Sequence, residues 1–321
     1  MGHVDLNDLD ARARAGEPRA LLALGKRMLV GDGLRAAPAE AATLLQKAAA
    51  GGDAEAAAQL SVCTAWGVGL PRDVAAALDY LQRAAELGWQ PAQQELRVLA
   101  RHGGSDWTAL RRAIDIGALT APLPVRVVSR EPRIVVIDAF CSPDECTWLI
   151  ERARPHLQRA LVYRGSPSAQ AADSRTNTEA AFTIFRADVV LNLIRERMAA
   201  VARTSTLFFE VTKLLHYDPG EQFGLHADFL QLNTPELVRE VELRGQRAAT
   251  FLTYLNDGYE GGETDFPRIG YRYKGARGDA LLFSNVDAAG APDYSTVHTG
   301  LAPVTGEKWL LSQWVRSKPV G

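Results

Sequence analysis

Two imidazoles, one carboxylate and one ammonium recur at spacings that could hold a ferrous ion and a dicarboxylate. His226 and Asp228 are separated by a single residue, His298 follows 72 residues after His226, and Lys308 comes ten after that. On a strand, alternate side chains share a face, so His226 and Asp228 would reach one metal from adjacent inward positions. The third ligand must come from elsewhere, and His298 is the best candidate. Two histidines and one carboxylate on one face of an octahedral metal leave three sites open. At non-haem Fe(II) these suit a bidentate keto acid and dioxygen. A lone His-x-Asp is weak evidence, because most such triplets are surface turns or satisfied core histidines, so its surroundings decide. His216 alternates with Tyr217 and faces the other way, which reads as structural. His3, His102 and His156 lack a partner pattern and read as solvent-exposed.

The elements that must position these residues are short strands. Residues 211–217 form an apolar run, and Asp218, Pro219 and Gly220 signal a turn, so residues 223–228 are predicted to return as a hairpin strand. Further strands are predicted at 248–255, 279–283, 295–298 and 308–316, with a glycine turn at Gly261 and Gly262. Strands at this regular spacing, punctuated by Gly and Pro, predict an antiparallel jelly roll or barrel. Residues 233–243 read as a capped, charged helix with Pro235 near its start, a candidate lid between the ligand strand and the next strand. The small, polar stretch 165–172 reads as a mobile loop ahead of Arg175.

With these elements in place, the chain resembles the prolyl 4-hydroxylase branch of the 2-oxoglutarate- and iron-dependent dioxygenases. The matching residues run in the family's order: 137–146, the Ser-Arg-Thr-Asn of 174–177, Tyr217 with the His226/Asp228 pair, 246–256, 261–264, 278–283, and His298 leading to 306–309. The resemblance covers residues 129–319, and the joint spacing is far more specific than any one piece. It implies a double-stranded β-helix with flanking helices, Fe(II), 2-oxoglutarate and O₂ as cosubstrates, and ascorbate as a bound reductant. Residue by residue, it implies that His226, Asp228 and His298 ligate iron. Lys308 would meet the far carboxylate of 2-oxoglutarate as a point charge on a desolvated pocket floor. Tyr217 would donate its hydroxyl to the same cosubstrate, and Tyr254 or Thr250 would share that task. Arg175 would contact the substrate backbone near the entrance. Trp314 shares strand parity with Lys308, so it would face inward and wall the iron site. The reaction implied is hydroxylation coupled to decarboxylation of 2-oxoglutarate to succinate and CO₂. Halogenating relatives carry a small residue where Asp228 stands. Without the resemblance, Lys308 reads as an edge-strand lysine and both tyrosines as packing aromatics.

The N-terminal third is a different kind of object. Residues 20–60 and 56–96 repeat one pattern at an offset of 36: Ala20 with Ala56, Leu24 with Leu60, Gly31 with Gly67, Gly33 with Gly69, Ala41 with Ala77, Leu45 with Leu81. A period of this length, with two alanine-rich helices and a Gly-x-Gly turn, is an α-solenoid signature that resembles Sel1-like repeats, relatives of the tetratricopeptide repeat. The expected organisation is an α+β multidomain chain: a helical repeat domain at 1–103, a connector at 104–128 and the oxygenase domain at 129–319. Sel1-like repeats generally serve protein interaction, so recruitment of a protein or peptide substrate is expected of them, with a structural or dimer surface as the alternative.

Composition narrows the class. The 321 residues are 47% hydrophobic, enough for two cores, and the net charge of −2 gives no argument for nucleic-acid binding. No apolar run approaches a membrane span and the N-terminus lacks a signal-peptide pattern, so no membrane is expected and the cytoplasm is the expected location. Cys63, Cys141 and Cys146 do not make a disulfide framework. The favoured function is hydroxylation of a prolyl residue in a protein or peptide. The alternatives are a hydroxylase of a free amino acid or other small metabolite, and a catalytically silent interaction scaffold.

Overall fold

The computed structural model describes residues 6–161 and 174–320. The chain divides into two compact units, one holding the described residues of Met1–Leu119 together with Ile184–Leu193, the other those of Thr120–Thr183 and Ile194–Gly321. This partition departs from the expected one. The predicted connector is split between helices of the first unit and the first strand of the second, and a short sequence-distant segment joins the repeats.

The helical unit is built from α1 (Leu6–Arg14), α2 (Pro18–Val30), α3 (Pro38–Ala50), α4 (Ala54–Trp66), α5 (Val74–Glu86), α6 (Gln90–Ala100), α7 (Trp107–Ala113) and α8 (Ile116–Thr120). Matched positions of the two copies are fully buried: Ala41, Leu45 and Ala48 in α3, Ala77, Leu81 and Ala84 in α5. Asp53 and Asp73 cap α4 and α5 by accepting the backbone N–H of Ala56 and Ala76. Gly69 has φ of +72°, and a Cβ there would fall 2.1 Å from the Pro38 carbonyl oxygen. Only glycine lets the turn of one copy lie against the helix start of the other.

In the second unit the strands are β1 (Arg126–Arg130), β2 (Arg133–Ile137), β3 (Gln158–Arg159), β4 (Thr178–Ala181), β5 (Lys213–Tyr217), β6 (Phe223–His226) and β7 (Arg247–Tyr254). They continue as β8 (Glu260–Gly261), β9 (Thr264–Phe266), β10 (Tyr271–Tyr273), β11 (Ala280–Ser284), β12 (His298–Gly300), β13 (Pro303–Thr305) and β14 (Lys308–Arg316). The later helices are α9 (Pro143–Ala153), α10 (Val189–Ala202) and α11 (Pro235–Arg244). An eight-stranded sheet runs β1-β2-β11-β7-β14-β5-β4-β3, a four-stranded sheet runs β10-β9-β12-β6, and β13 pairs with β8. Val136, Leu215, Leu252, Leu281 and Leu310 of the large sheet meet Phe266 of the small one in a single core. Two antiparallel sheets closed over one core make a jelly roll, the double-stranded β-helix. On the other face of the large sheet, Phe140 packs on Phe251 with ring centroids 4.8 Å apart. Nearby, Glu145 of α9 forms a 2.7 Å ion pair with Arg197, both almost fully buried. Burial of either charge alone would be strongly unfavourable, so the pair is retained as a unit.

Two expectations are corrected. β5 and β6 are not a hairpin: β5 lies between β14 and β4 in the large sheet, whereas β6 pairs with β12 in the small one. The turn after Tyr217 crosses between sheets, held by Gly220 N–H donating to the Pro303 carbonyl and Asp218 N–H to the Glu221 carboxylate. The strand also ends at His226, so Asp228 lies in the bend that follows. The predicted helix at 233–243 is α11, capped by the Thr234 hydroxyl accepting from Leu237 N–H. The stretch 165–172 and His3 lie outside the described residues, while His102 and His156 are exposed. All three cysteines are free and buried.

Candidate active site

His226 and His298 are direct partners across the β6–β12 pairing, which places their rings 4.2 Å apart. Asp228 closes the group, its carboxylate oxygens 3.7 Å from His226 Nε2 and 3.8 Å from His298 Nε2. One ligand atom from each of the three lies within 4.8 Å of the other two. Each imidazole is oriented by its other nitrogen: Nδ1 of His226 meets the Gly224 carbonyl at 2.8 Å, and Nδ1 of His298 meets the Thr296 carbonyl at 3.0 Å. A carbonyl can only accept, so Nδ1 of each ring donates to it and Nε2 is the nitrogen turned toward the group, the orientation that metal-ligating histidines take. Burial, and then the neighbouring His298, push His226 down to about 3, so its ring is neutral. Burial opposes ionisation of Asp228, but His298, His226 and the Thr250 hydroxyl outweigh it and hold the carboxyl below its usual range. A carboxylate and two imidazoles converging from one side are the donor set of a facial triad, and they fit Fe(II).

A second cross-strand pair sets Lys308 of β14 opposite Tyr217 of β5, and Tyr217 lines the same cavity as His226, Asp228 and His298. Lys308 is fully buried, and its Nζ has no hydrogen-bond partner among the described residues. It lies 4.9 Å from the Tyr217 ring centroid. Burial pushes the ammonium down to about 7, with Glu263 pulling the other way, and burial raises the Tyr217 hydroxyl to about 12. A buried, unpaired amine is costly unless an anion comes to it. This one fits a carboxylate of a dicarboxylate. Gly262 (φ +71°) makes room for the lysine stem, since a Cβ there would lie 2.9 Å from the Tyr259 ring and 3.3 Å from Lys308 Cδ.

Tyr254 and Thr250, both expected on the cosubstrate, are placed differently. The Tyr254 hydroxyl is 2.7 Å from Thr264 Oγ1, and it is Thr264 that lines the cavity. Thr250 donates to Asp228 Oδ2 at 2.6 Å and accepts from Asn285 Nδ2 at 2.9 Å, so it steadies the carboxylate. Both lie on the inward face of β7, but a packed neighbour takes each hydroxyl. Arg175 and Trp314 line the cavity. Arg175 is buried, and it donates to Asn177, the Leu161 carbonyl and Glu179. Trp314 is inward as parity predicted, with the Arg247 guanidinium 3.5 Å over its ring. His216, on the opposite face, is engaged at both nitrogens by Thr178 and Glu307, each at 3.0 Å.

Three contributors escaped the sequence reading. Phe223 stacks flat on His226 with ring centroids 3.5 Å apart, and Arg175 covers its other side at 4.5 Å. Residues three apart on a strand should face opposite ways. A bulge between the His298/His226 and Gly300/Phe223 pairings brings these two together. Asn285 gives no signal at all. Asn256 sits in the 246–256 motif, yet nothing in its spacing points to Lys308. Its side chain accepts from Trp309 N–H at 2.8 Å and donates to the Glu307 carbonyl at 2.7 Å, clamping the backbone on both sides of the lysine.

Both parts of the chain are similar to known proteins. Residues 212–316 match the 2OG-Fe(II) oxygenase superfamily, and residues 18–53 and 54–89 each match a Sel1 repeat. Prolyl 4-hydroxylase 1 of Arabidopsis thaliana is 34% identical over 211 residues, covering 60% of this chain and 71% of that protein. Among solved structures, the viral collagen prolyl hydroxylase of Paramecium Bursaria Chlorella virus-1 in its 2OG complex is 26% identical. It covers 57% of this chain and 94% of its own, with a TM-score of 0.43. A Sel1 repeat protein from Oxalobacter formigenes is 31% identical, covering 34% of this chain and 89% of its own, with a TM-score of 0.30. Fold and site together define a 2-oxoglutarate-dependent dioxygenase, an enzyme using Fe(II), 2-oxoglutarate and O₂. The chain belongs to the prolyl 4-hydroxylase family within the 2OG-Fe(II) oxygenase superfamily. When bound, the iron supplies activation of dioxygen at the expense of 2-oxoglutarate. The chain's own residues orient the donor side chains, through the Gly224 and Thr296 carbonyls and the Thr250 hydroxyl. Among the described residues, no helix is long and apolar enough to cross a membrane.

Proposed function

We propose that this enzyme hydroxylates prolyl residues within a protein or peptide, with His226, Asp228 and His298 as iron ligands and Lys308 with Tyr217 holding 2-oxoglutarate. Ascorbate is proposed as the reductant that returns iron to the ferrous state after uncoupled turnover. The similarity to prolyl 4-hydroxylases supports this reading, and the observation that carries it is the charge balance of the outer cavity. This space of about 770 Å³ opens beside His226. Arg175 and Lys213 are both paired with Glu179, Arg247 with Glu210, and Arg244 with Glu240. A free amino acid would bring an ammonium and a carboxylate that need charged partners. A peptide segment brings neither. The rim instead offers apolar surface, with Leu225 63%, Val211 54% and Leu161 41% exposed, of the kind that a chain segment covers.

The test is to incubate the full chain with Fe(II), 2-oxoglutarate and ascorbate, adding either a proline-rich peptide or free L-proline. Succinate release and the gain of one oxygen are followed by mass spectrometry. The peptide is expected to stimulate succinate release and gain oxygen at proline. Stimulation by free proline alone would overturn the reading in favour of a small-metabolite hydroxylase. Any recruiting role of the repeats is proposed for surfaces other than the face that holds Ile184–Leu193.

A further inference from the structure

The segment Ile184–Leu193 is far from the repeats in sequence but belongs to their unit. Alternate helices of the array each take hold of it. From α4, Gln59 Nε2 donates to the Ile184 carbonyl at 3.3 Å, and Trp66 Nε1 donates to the Asp188 carbonyl at 3.3 Å. In return, Asn192 Nδ2 donates to the Ala65 carbonyl at 3.1 Å. From α2, the Lys26 ammonium lies 5.7 Å over the Phe185 ring. From α6, the Glu95 carboxylate accepts the backbone N–H of Val189 at 2.6 Å and of Val190 at 3.2 Å. These are the first N–H groups of α10, which a helix cannot satisfy itself and which favour negative charge. Asp188 caps the same turn by accepting from Leu191 N–H at 2.7 Å. Glu95 and Asp188 are 6% and 3% exposed, and Val189, Val190 and Leu191 are fully buried.

We infer that the face of the Sel1 array formed by α2, α4 and α6 is a clamp for the chain's own segment Ile184–Leu193, and is therefore not the surface that captures a substrate. A solenoid holds a partner along the surface that its successive repeats present. Here that mode is already used in cis, most of the contacts go to main-chain atoms, and a buried carboxylate meets the one helix start presented. A peptide in trans would have to displace all of these contacts at once.

The inference rests on the proposed peptide substrate only for the choice of probe. In the full chain, Glu95→Ala should speed tryptic cleavage after Arg186 roughly ten-fold or more, the effect of losing charge-assisted hydrogen bonds on the open population. The ratio of kcat/KM for a long proline-rich peptide to that for a short one should stay at the wild-type value. Unchanged cleavage, or a several-fold fall in that ratio, would overturn the clamp. If Glu95→Ala does not fold, hydrogen exchange on the wild-type chain decides. Amides of Val189 and Val190 should be protected like the core and stay so when the long peptide is added in excess. Faster exchange with peptide present shows displacement and sinks the idea. Should the peptide prove not to be a substrate, the cleavage and exchange measurements still report on the clamp while the prolyl reading alone fails.

Discussion

Two cross-strand pairs, His226/His298 and Tyr217/Lys308, are built on opposite principles. The His226/His298 pair on the small sheet is satisfied from behind: each Nδ1 has a carbonyl, Asp228 has Thr250, and Phe223 stacks on His226. The Tyr217/Lys308 pair on the large sheet holds its backbone just as firmly through Asn256, but leaves the ammonium without a hydrogen-bond partner among the described residues. The first arrangement fixes geometry before a metal arrives, since the hydrogen bonds behind the ligands set tautomer and ring orientation. The second leaves a charge requirement that the proposed dicarboxylate would meet. Binding at the lysine end is thus expected to depend on charge, and binding at the histidine end on geometry.

The sharpest way to break the comparison is to remove a donor. His298→Ala or Asp228→Ala should abolish 2-oxoglutarate decarboxylation and iron retention together, measured as succinate release and bound iron in the folded variant. Wild-type succinate release in either variant would mean the metal lies elsewhere. At the lysine end, Lys308→Ala should raise the KM for 2-oxoglutarate by about 10²-fold or more, because a desolvated carboxylate left unpaired costs roughly 3–5 kcal/mol. Iron affinity should be unchanged, and a parallel loss of iron would show that the two ends are not separable. Thr250→Val keeps the shape but removes the donor to Asp228. It should weaken iron roughly ten-fold or more with little effect on the KM for 2-oxoglutarate, read by iron titration.

A pH series tests the same contrast without mutation. Burial pushes Lys308 down to about 7, well below the ordinary 10.5. Below pH 7 it already carries the ammonium that the dicarboxylate needs. Above that pH, binding must take up a proton, so the KM for 2-oxoglutarate should rise by up to about ten-fold per pH unit. A flat profile through neutrality would remove the charge requirement from Lys308. The smallest effect is expected from Asn256→Ala, which loses two backbone clamps worth about 1 kcal/mol each and should raise that KM several-fold while sparing kcat and iron. A change in kcat alone would show that Asn256 acts elsewhere.

The two halves of the chain were legible to different depths. The repeat offset exposed the helices of the array because each copy is stabilised by near-neighbour contacts, as its buried alanines and leucines show. It could not expose Ile184–Leu193, whose tie to the array is made by Glu95 and Gln59 across long sequence separations. Truncating the chain so that it begins near Gly104 would therefore strip the cover from Val189, Val190 and Leu191, so it is not a clean test of the repeats.

His226, Asp228, His298 and Lys308 could be proposed from the sequence because their residue types and joint order suit the chemistry, and the β14 parity that turns Trp314 inward is a property of any strand. Their partners depend on the tertiary structure. A bulge in the β6–β12 pairing put Phe223 on the same side as His226, and the crossing after Tyr217 set the two pairs on opposite sheets. Packing across the core turned Tyr254 to Thr264 and Thr250 to Asp228. The sequence by itself determined which groups could do the chemistry, because identity and order are covalent. Only the fold decided what each group touches, because buried polar atoms must find partners and those partners come from wherever the sheets bring them.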